Sequence, residues 1–307
     1  MTTAAAPAAF GFRIQSPYPL RFLRQGGGVE PLTILPAEPR LAPPPPDVPP
    51  IAEWKVGEGA RDTRARLYRR GDAFQLQTEG GFAYLIEPRT RTIRVMHGAD
   101  DVFWEPGVWG LPALLCFQER GDFSLHAAAV EVNGAAILLA APGRGGKTTL
   151  ALAFHRRGFR VLSEDLACCR LAPQPVLLPG PAVLRPRRDV YDGTPPPGTH
   201  LVAARPDRIY LELDDARRGG GSPVPIAGIV LLHDGVTSLH AAPLATVSAL
   251  PHLWALSFGL PAEPFAPLRF RQLSRLLSAT RVWALHRPLS RASLSQTVDC
   301  LLHTCAS

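Results

Sequence analysis

The stretch Ile137-Leu138-Leu139-Ala140-Ala141-Pro142-Gly143-Arg144-Gly145-Gly146-Lys147-Thr148-Thr149-Leu150 decides the fold class. Its opening is an apolar run, as a strand covered on both faces requires. A glycine-rich turn follows, and Thr148 opens a run of helix formers from Leu150 to His155. The spacing from Ala141 to Gly146-Lys147-Thr148 is that of a phosphate-binding P-loop, with Ala141 in the first slot. The physics behind the pattern is specific. Successive N–H groups in such a turn form an anion-binding nest, and the following helix adds its positive N-terminal end. Gly143, Gly145 and Gly146 allow the backbone, with Arg144 among them, to approach phosphate oxygens. Lys147 can neutralise the β- and γ-phosphates, Thr148 can ligate Mg²⁺, and Thr149 continues the helix start. The competing reading is a glycine-rich connection without a ligand.

Upstream, Leu125-His126-Ala127-Ala128-Ala129-Val130-Glu131-Val132 reads as a strand, and Asn133-Gly134 is a strong hairpin signal. The returning strand delivers the P-loop and places His126 on its neighbour. Downstream, the helix from Lys147 to about Arg157 stops at Gly158. Phe159 to Ser163 reads as a strand ending in Glu164-Asp165. Strand C-termini face the ligand crevice in open α/β sheets, so two carboxylates stand beside the P-loop. One can position Mg²⁺ and the other can take a proton from an attacking hydroxyl. Farther on, Pro173 to Gly198 reads as a long Pro- and Arg-rich loop. Its Arg185, Arg187 and Arg188 either grip an acidic peptide or phosphates or are simply solvated. Ile209 to Leu213, Ile226 to His233 and Val282 to Leu285 read as strands, Leu244 to Leu256, Leu268 to Leu277 and Leu294 to His303 as helices, and Asp214-Asp215 as a turn.

Toward the N-terminus the pattern changes. Residues 1–50 read as an irregular, Pro-rich segment, with an extended connector from Pro36 to Pro50. Residues 51–120 read as a small β-rich accessory region: an antiparallel meander from Arg64 to Met96, then a linking helix from Pro106 to Arg120, with Trp104 and Trp109 as core anchors. The P-loop domain then occupies 121–307.

With 307 residues and 46% hydrophobic composition, the chain can bury a sizeable core in one large or two modest domains. No run is long and apolar enough to suggest a spanning helix, so no membrane partner is expected. Five scattered cysteines, two of them adjacent, do not form a disulfide framework or a zinc pattern. They point to reduced thiols in a cytoplasmic protein. The net charge of +7 favours acidic partners, nucleotides among them. No basic run is interleaved with aromatics, which argues against nucleic acid as the main partner.

Three motifs in register, Leu125-His126-Ala127 through Gly134, the P-loop, and Gly158 with Ser163-Glu164-Asp165, resemble the catalytic half of HPr kinase/phosphorylase. The resemblance is closer still to the HPr-kinase-like proteins found with lasso-peptide and related biosynthetic genes. It rests on intervals: His126 precedes Lys147 by 21 residues, and Glu164 and Asp165 follow it by 17 and 18. It covers roughly residues 121 to 290. It implies an α/β fold with a P-loop sheet of the HPr kinase/phosphoenolpyruvate carboxykinase type, here preceded by a small β-rich N-terminal domain. It also implies ATP and Mg²⁺ as cofactors, and transfer of a phosphoryl group to a serine-type hydroxyl of a peptide, protein or small molecule. The HPr kinases are oligomeric, which makes a homo-oligomer one expectation. Carried over, Glu164 matches the family's catalytic base, Asp165 its neighbour near the metal, and His126 a histidine that organises carboxylate and substrate. Arg208, in Arg205-Pro206-Asp207-Arg208, weakly matches a phosphate contact.

Two departures stand out. Glu164 replaces the usual Asp, one methylene longer: the substrate sits differently, Asp165 takes the base role, or activity is weak. Ala141 replaces the first P-loop glycine. No motif for the family's reverse reaction is present, so a kinase alone is expected, with a peptide of a natural-product pathway as the analogous acceptor. The alternative from another class is a non-catalytic nucleotide-binding module that presents a peptide.

Overall fold

The computed structural model describes residues 6–37, 44, 48–56, 63–78, 82–96, 103–191, 193–214, 219–234, 238–260, 266–290 and 292–305. Most of the Pro-rich connector, turn residues 79–81 and Asp215 lie outside the described residues.

The alternating runs of the first hundred residues build one nine-stranded sheet. Its strands are β1 (Pro7–Ala9), β2 (Phe12–Gln15), β3 (Arg24–Gln25), β4 (Glu30–Pro36), β5 (Ala52–Val56), β6 (Thr63–Arg70), β7 (Ala73–Thr78), β8 (Ala83–Glu87) and β9 (Thr92–Met96). Their order is β3-β1-β2-β4-β9-β8-β7-β6-β5. The meander expected over Arg64 to Met96 is present as β6 to β9. The irregular segment expected over residues 1–50 is corrected, because residues 7–36 contribute four strands. Phe12 and Ile14 on β2, and Leu32 and Ile34 on β4, alternate into the core. These strands are held by non-local parallel pairing, β2 with β4 and β4 with β9, which a local pattern does not announce. The single linking helix is also corrected. It is two pieces, α1 (Trp104–Val108) and α2 (Leu111–Glu119), parted at Gly110 ahead of Pro112. Both Trp104 and Trp109 are buried.

The rest of the chain forms a mixed α/β layer. It begins with β10 (Phe123–Leu125), β11 (Ala127–Val132), β12 (Ala135–Ala140), α3 (Lys147–Arg156), β13 (Arg160–Ser163), β14 (Ala167–Arg170) and β15 (Val176–Leu178). A small three-stranded sheet follows: β16 (Val183–Leu184), β17 (Thr199–Ala204) and β18 (Ile209–Leu213). Then come β19 (Val224–His233), β20 (His240–Pro243), α4 (Thr246–Leu256), α5 (Ala266–Ala279), β21 (Arg281–His286) and α6 (Leu294–Cys305). The long loop expected over Pro173 to Gly198 is thus corrected: it carries β15, β16 and a 3-10 turn at Arg188–Val190, and Leu177, Leu178, Val183 and Leu184 are buried.

The second large sheet runs β10-β14-β15-β19-β12-β11-β13, with β21 on β19 and β20 on β21. The Asn133-Gly134 hairpin joins β11 and β12, with both turn residues at positive φ, 52° and 78°. Direction is what matters for the site. β12, β19 and β21 are mutually parallel. β13 is antiparallel to β11 and so runs with β12. The C-terminal ends of β12, β13, β19 and β21 and the start of β11 therefore meet at one edge. Helices α3 and α6 cover one face and α4 and α5 the other, each over its own apolar cluster. A third cluster joins the N-terminal sheet to α2 and to Leu166, Cys168 and Leu178 of the second sheet. No helix among the described residues is long and apolar enough to cross a membrane. All five cysteines are free thiols. Burial pushes Cys116, Cys169 and Cys305 up to about 12.

Candidate functional site

The glycine-rich loop leaves β12 at Ala140 and enters α3 at Lys147. Two positions take left-handed backbone, Arg144 (φ 68°) and Gly146 (φ 71°), so the chain reverses within a few residues. Gly146 combines that backbone with a close neighbour: a Cβ there would lie 2.2 Å from the Arg287 guanidinium, which would have to move. Gly145 is needed for packing, since a Cβ would lie 2.5 Å from that of Ala141. A cleft of about 410 Å³ opens over this loop. Gly143, Arg144, Gly146, Lys147, Thr148 and Thr149 line its floor, whereas Gly145 does not reach it. His126, Asp165, Arg187, Asp189 and Arg208 stand at the wall, with Arg287, Leu289, Ser290 and Leu294 also lining it.

Lys147 is buried, and its ammonium donates to the carbonyls of Ala141 (2.9 Å) and Pro142 (3.0 Å). Burial lowers its pKa below the usual lysine value, with Asp165 and Glu164 pulling the other way.

The two adjacent carboxylates have different surroundings. The Glu164 side chain is 4% exposed and that of Asp165 51%. Glu164 accepts the Thr148 hydroxyl on Oε1 at 2.9 Å and the Arg185 Nε–H on Oε2 at 2.6 Å. It does not line the cleft; it borders a smaller cavity, shared with Asp165, Phe10 and Trp109. Asp165 does line the cleft. His126 Nε2 lies 2.9 Å from its Oδ1, and an Arg185 nitrogen 3.8 Å from its Oδ2. Desolvation by the surrounding walls raises the Asp165 pKa. The His126 hydrogen bond and the Arg185 charge outweigh it, so the carboxyl lies well below the usual range. His126 is itself anchored at the sheet edge, its N–H donating to Leu256 O at 2.8 Å and its ring 5.9 Å from that of Phe258.

The structure therefore gathers His126, Lys147, Thr148, Thr149, Asp165 and Arg208 in one cleft and leaves Glu164 behind it. Arg208 donates to Arg185 O at 3.0 Å, and Arg187 pairs with Asp189 at 3.1 Å. Among the three arginines of the 185–188 stretch, Arg185 is committed to the carboxylates and Arg187 faces the cleft. The sequence reading missed Arg287. It is 2% exposed, donates to Gly145 O at 3.0 Å, and sits 4.0 Å from Asp234. Among the described residues its Nε has no hydrogen-bond partner. The signal was available: Arg287 directly follows an apolar strand that ends at the same edge as β12.

Among the described residues no three His, Cys, Asp or Glu side chains converge on a metal position. Mg²⁺ does not need such a cage, because it takes one or two protein oxygens and completes its shell with phosphate and water. Thr148 fits that role. Its proton is directed to Glu164, which leaves the hydroxyl oxygen's lone pairs free, and the Asp165 carboxylate is a hard, accessible oxygen donor.

No protein-family model and no curated protein matches the chain. Among solved structures it is similar to the Hpr(Ser) kinase/phosphatase from Coxiella burnetii, at 10% identity over 60% of this chain and 99% of that one, with a TM-score of 0.31.

Proposed function

We propose that the chain is an ATP-dependent kinase of the HPr kinase type, with a P-loop sheet, that transfers the γ-phosphoryl group to a serine-type hydroxyl of a peptide, protein or small molecule. The observation that carries this reading is the single cleft that joins the Gly143–Thr149 loop to the His126–Asp165 pair. Loop N–H groups and the α3 N-terminus receive the phosphates. Lys147 exchanges its carbonyl partners for phosphate oxygens, and Arg208 and Arg287 add charge where the transferred group is most negative. Thr148 would hold Mg²⁺ with phosphate oxygens completing the shell, and the ion would neutralise charge along the phosphates, leaving Asp165 for the acceptor.

The assignment of the two acids differs from the one the family resemblance implies. Glu164 holds the Thr148 hydroxyl in one orientation, and Asp165 receives the acceptor. The acceptor O–H proton passes to Asp165, a new P–O bond forms to the acceptor oxygen, and the bond to the β-phosphate bridging oxygen breaks. A carboxylate kept ionised by His126 and Arg185 is a weak base, but a loose phosphoryl-transfer transition state needs orientation more than basicity. His126 steadies Asp165 in that orientation.

The test is turnover of Mg·ATP against serine-bearing peptides and free serine, read by mass spectrometry for a phosphate adduct. The expected product forms with the native chain and falls about 10³-fold with Lys147→Ala. Tight ATP binding with no product from any acceptor favours the non-catalytic nucleotide-binding module instead.

A further inference from the structure

We infer that Arg24, on the N-terminal sheet, is a positioning residue for the carboxylates of the cleft; this rests on reading the cleft as a phosphoryl-transfer site. Arg24 lies on β3, outside the stretch of chain that carries the motifs, and it is fully buried. Its Nε donates to Gly180 O at 2.7 Å, and one terminal nitrogen donates to Val161 O at 2.7 Å and Leu162 O at 3.2 Å. The acceptors belong to two separate segments. Val161 and Leu162 are on β13, immediately ahead of Ser163-Glu164-Asp165. Gly180 is in the turn that leads through β16 to Arg185. One guanidinium therefore ties the segment carrying both acids to the segment carrying their cation.

The contact it sets is the 2.6 Å pair between Glu164 and Arg185, one partner on each tied segment. That pair in turn orients Thr148, and Arg185 reaches Asp165. The N-terminal unit reinforces the tie with backbone bonds, Phe10 N–H to Pro179 O at 2.8 Å and Ala182 N–H to Phe22 O at 2.7 Å. The Gly180 N–H also meets Leu162 O at 2.9 Å, so the two segments already touch where the guanidinium spans them. The approach is too close for a side chain at 180: a Cβ would lie 2.8 Å from the Phe10 ring. A planar fork with donors on several edges can span two backbones at once, whereas a lysine ammonium acts from a single point. The N-terminal sheet is thereby part of the reacting unit, although it contributes no group to the cleft wall.

The experiment uses the full chain with Arg24→Met and Arg24→Lys. It measures kcat and KM for ATP in the phosphoryl-transfer assay, and amide hydrogen exchange by peptide. Loosening the two segments by an ångström-scale shift is expected to lower kcat by about 10- to 100-fold with KM for ATP nearly unchanged. Exchange should rise over 160–166 and 178–186 but not over 147–156. Arg24→Lys, which keeps the charge and loses the fork, should fall between native and Arg24→Met. If Arg24→Met does not fold, Arg24→Lys is judged by the same two measurements. Unchanged kcat, unchanged exchange, or a uniform rise across the chain overturns the inference, the last because it marks a merely structural cation. If the native chain phosphorylates no acceptor, the kinase reading fails, and the exchange pattern alone then decides the role of Arg24.

Discussion

The two large sheets each have nine strands, yet the candidate cleft opens at the edge of one of them. The N-terminal sheet is mostly hairpins, and it carries exposed ion pairs on its strands, such as Arg66–Glu53 at 3.0 Å, and between its turns, such as Arg89–Asp72 at 2.9 Å. Its strand ends meet turns. The second sheet is covered on both faces, and four of its strands, β12, β13, β19 and β21, share a direction, so their C-terminal ends and the loops that follow converge. Strand count says nothing about where a site forms, whereas strand direction does.

The largest test of this contrast separates adjacent acids on the active edge. Asp165→Asn should lower kcat by about 10²- to 10⁴-fold, as loss of a positioned proton acceptor does. Glu164→Gln should raise the Mg²⁺ concentration needed for half-maximal rate by about 10-fold while leaving more of the maximal rate, because it acts through Thr148. On the other sheet, Arg66→Gln should leave turnover unchanged, and a large loss there would break the comparison. Steady-state kinetics over a Mg²⁺ series reads all three.

A second test asks whether the sheets are separable in stability. Leu32 on β4 and Leu138 on β12 are both fully buried. Truncating either to Ala should cost about 2–5 kcal/mol. Because one apolar cluster spans both units, each variant should shift a single cooperative transition in urea. Two transitions, each moved by one variant alone, would make the sheets independent.

The smallest effect is in pH. His233, His286, His240 and His252 form a row of rings at the α4 side of the active edge, with centroid distances of 4.7–5.8 Å. Burial first, then the neighbouring His286 and His252, lower the His233 pKa, against Asp234. A histidine with a depressed folded pKa binds protons more readily when unfolded. Stability is therefore unaffected above its ordinary value of 6.5 and falls as pH drops from there toward the folded value. Melting temperature should decline over that interval in the native chain and less steeply in His233→Asn. Asp165 differs in sign. Its depressed pKa keeps the carboxylate charged, so turnover should show no acid limb from this group above its ordinary value of 3.8.

Much of the candidate site was legible because its signals are local. The hairpin at Asn133-Gly134, the glycine spacing, and the acids after an apolar strand all lie within short windows. The different surroundings of Glu164 and Asp165 were not legible, since a change of one residue at a strand end turns one side chain inward and the next outward. Nor were the early strands, which are short and tied into the sheet through β4, whose partner β9 is far along the chain, as in the pairing of Thr33 with Thr92. Arg24 shows the limit most clearly. A lone arginine near a glycine run reads as solvated, and only folding brings Val161, Leu162 and Gly180 around it.

The apolar seam through Phe10, Phe117 and Leu178 constrains how such a protein can change over generations. A crossover that exchanged the first hundred residues for those of a distant relative would leave one half of a fitted surface facing a stranger. The two halves can therefore diverge only in step, with substitutions at the seam answered across it. New specificity is easier to acquire at the rim of the cleft, where Leu289 is 57% exposed and lies outside that seam.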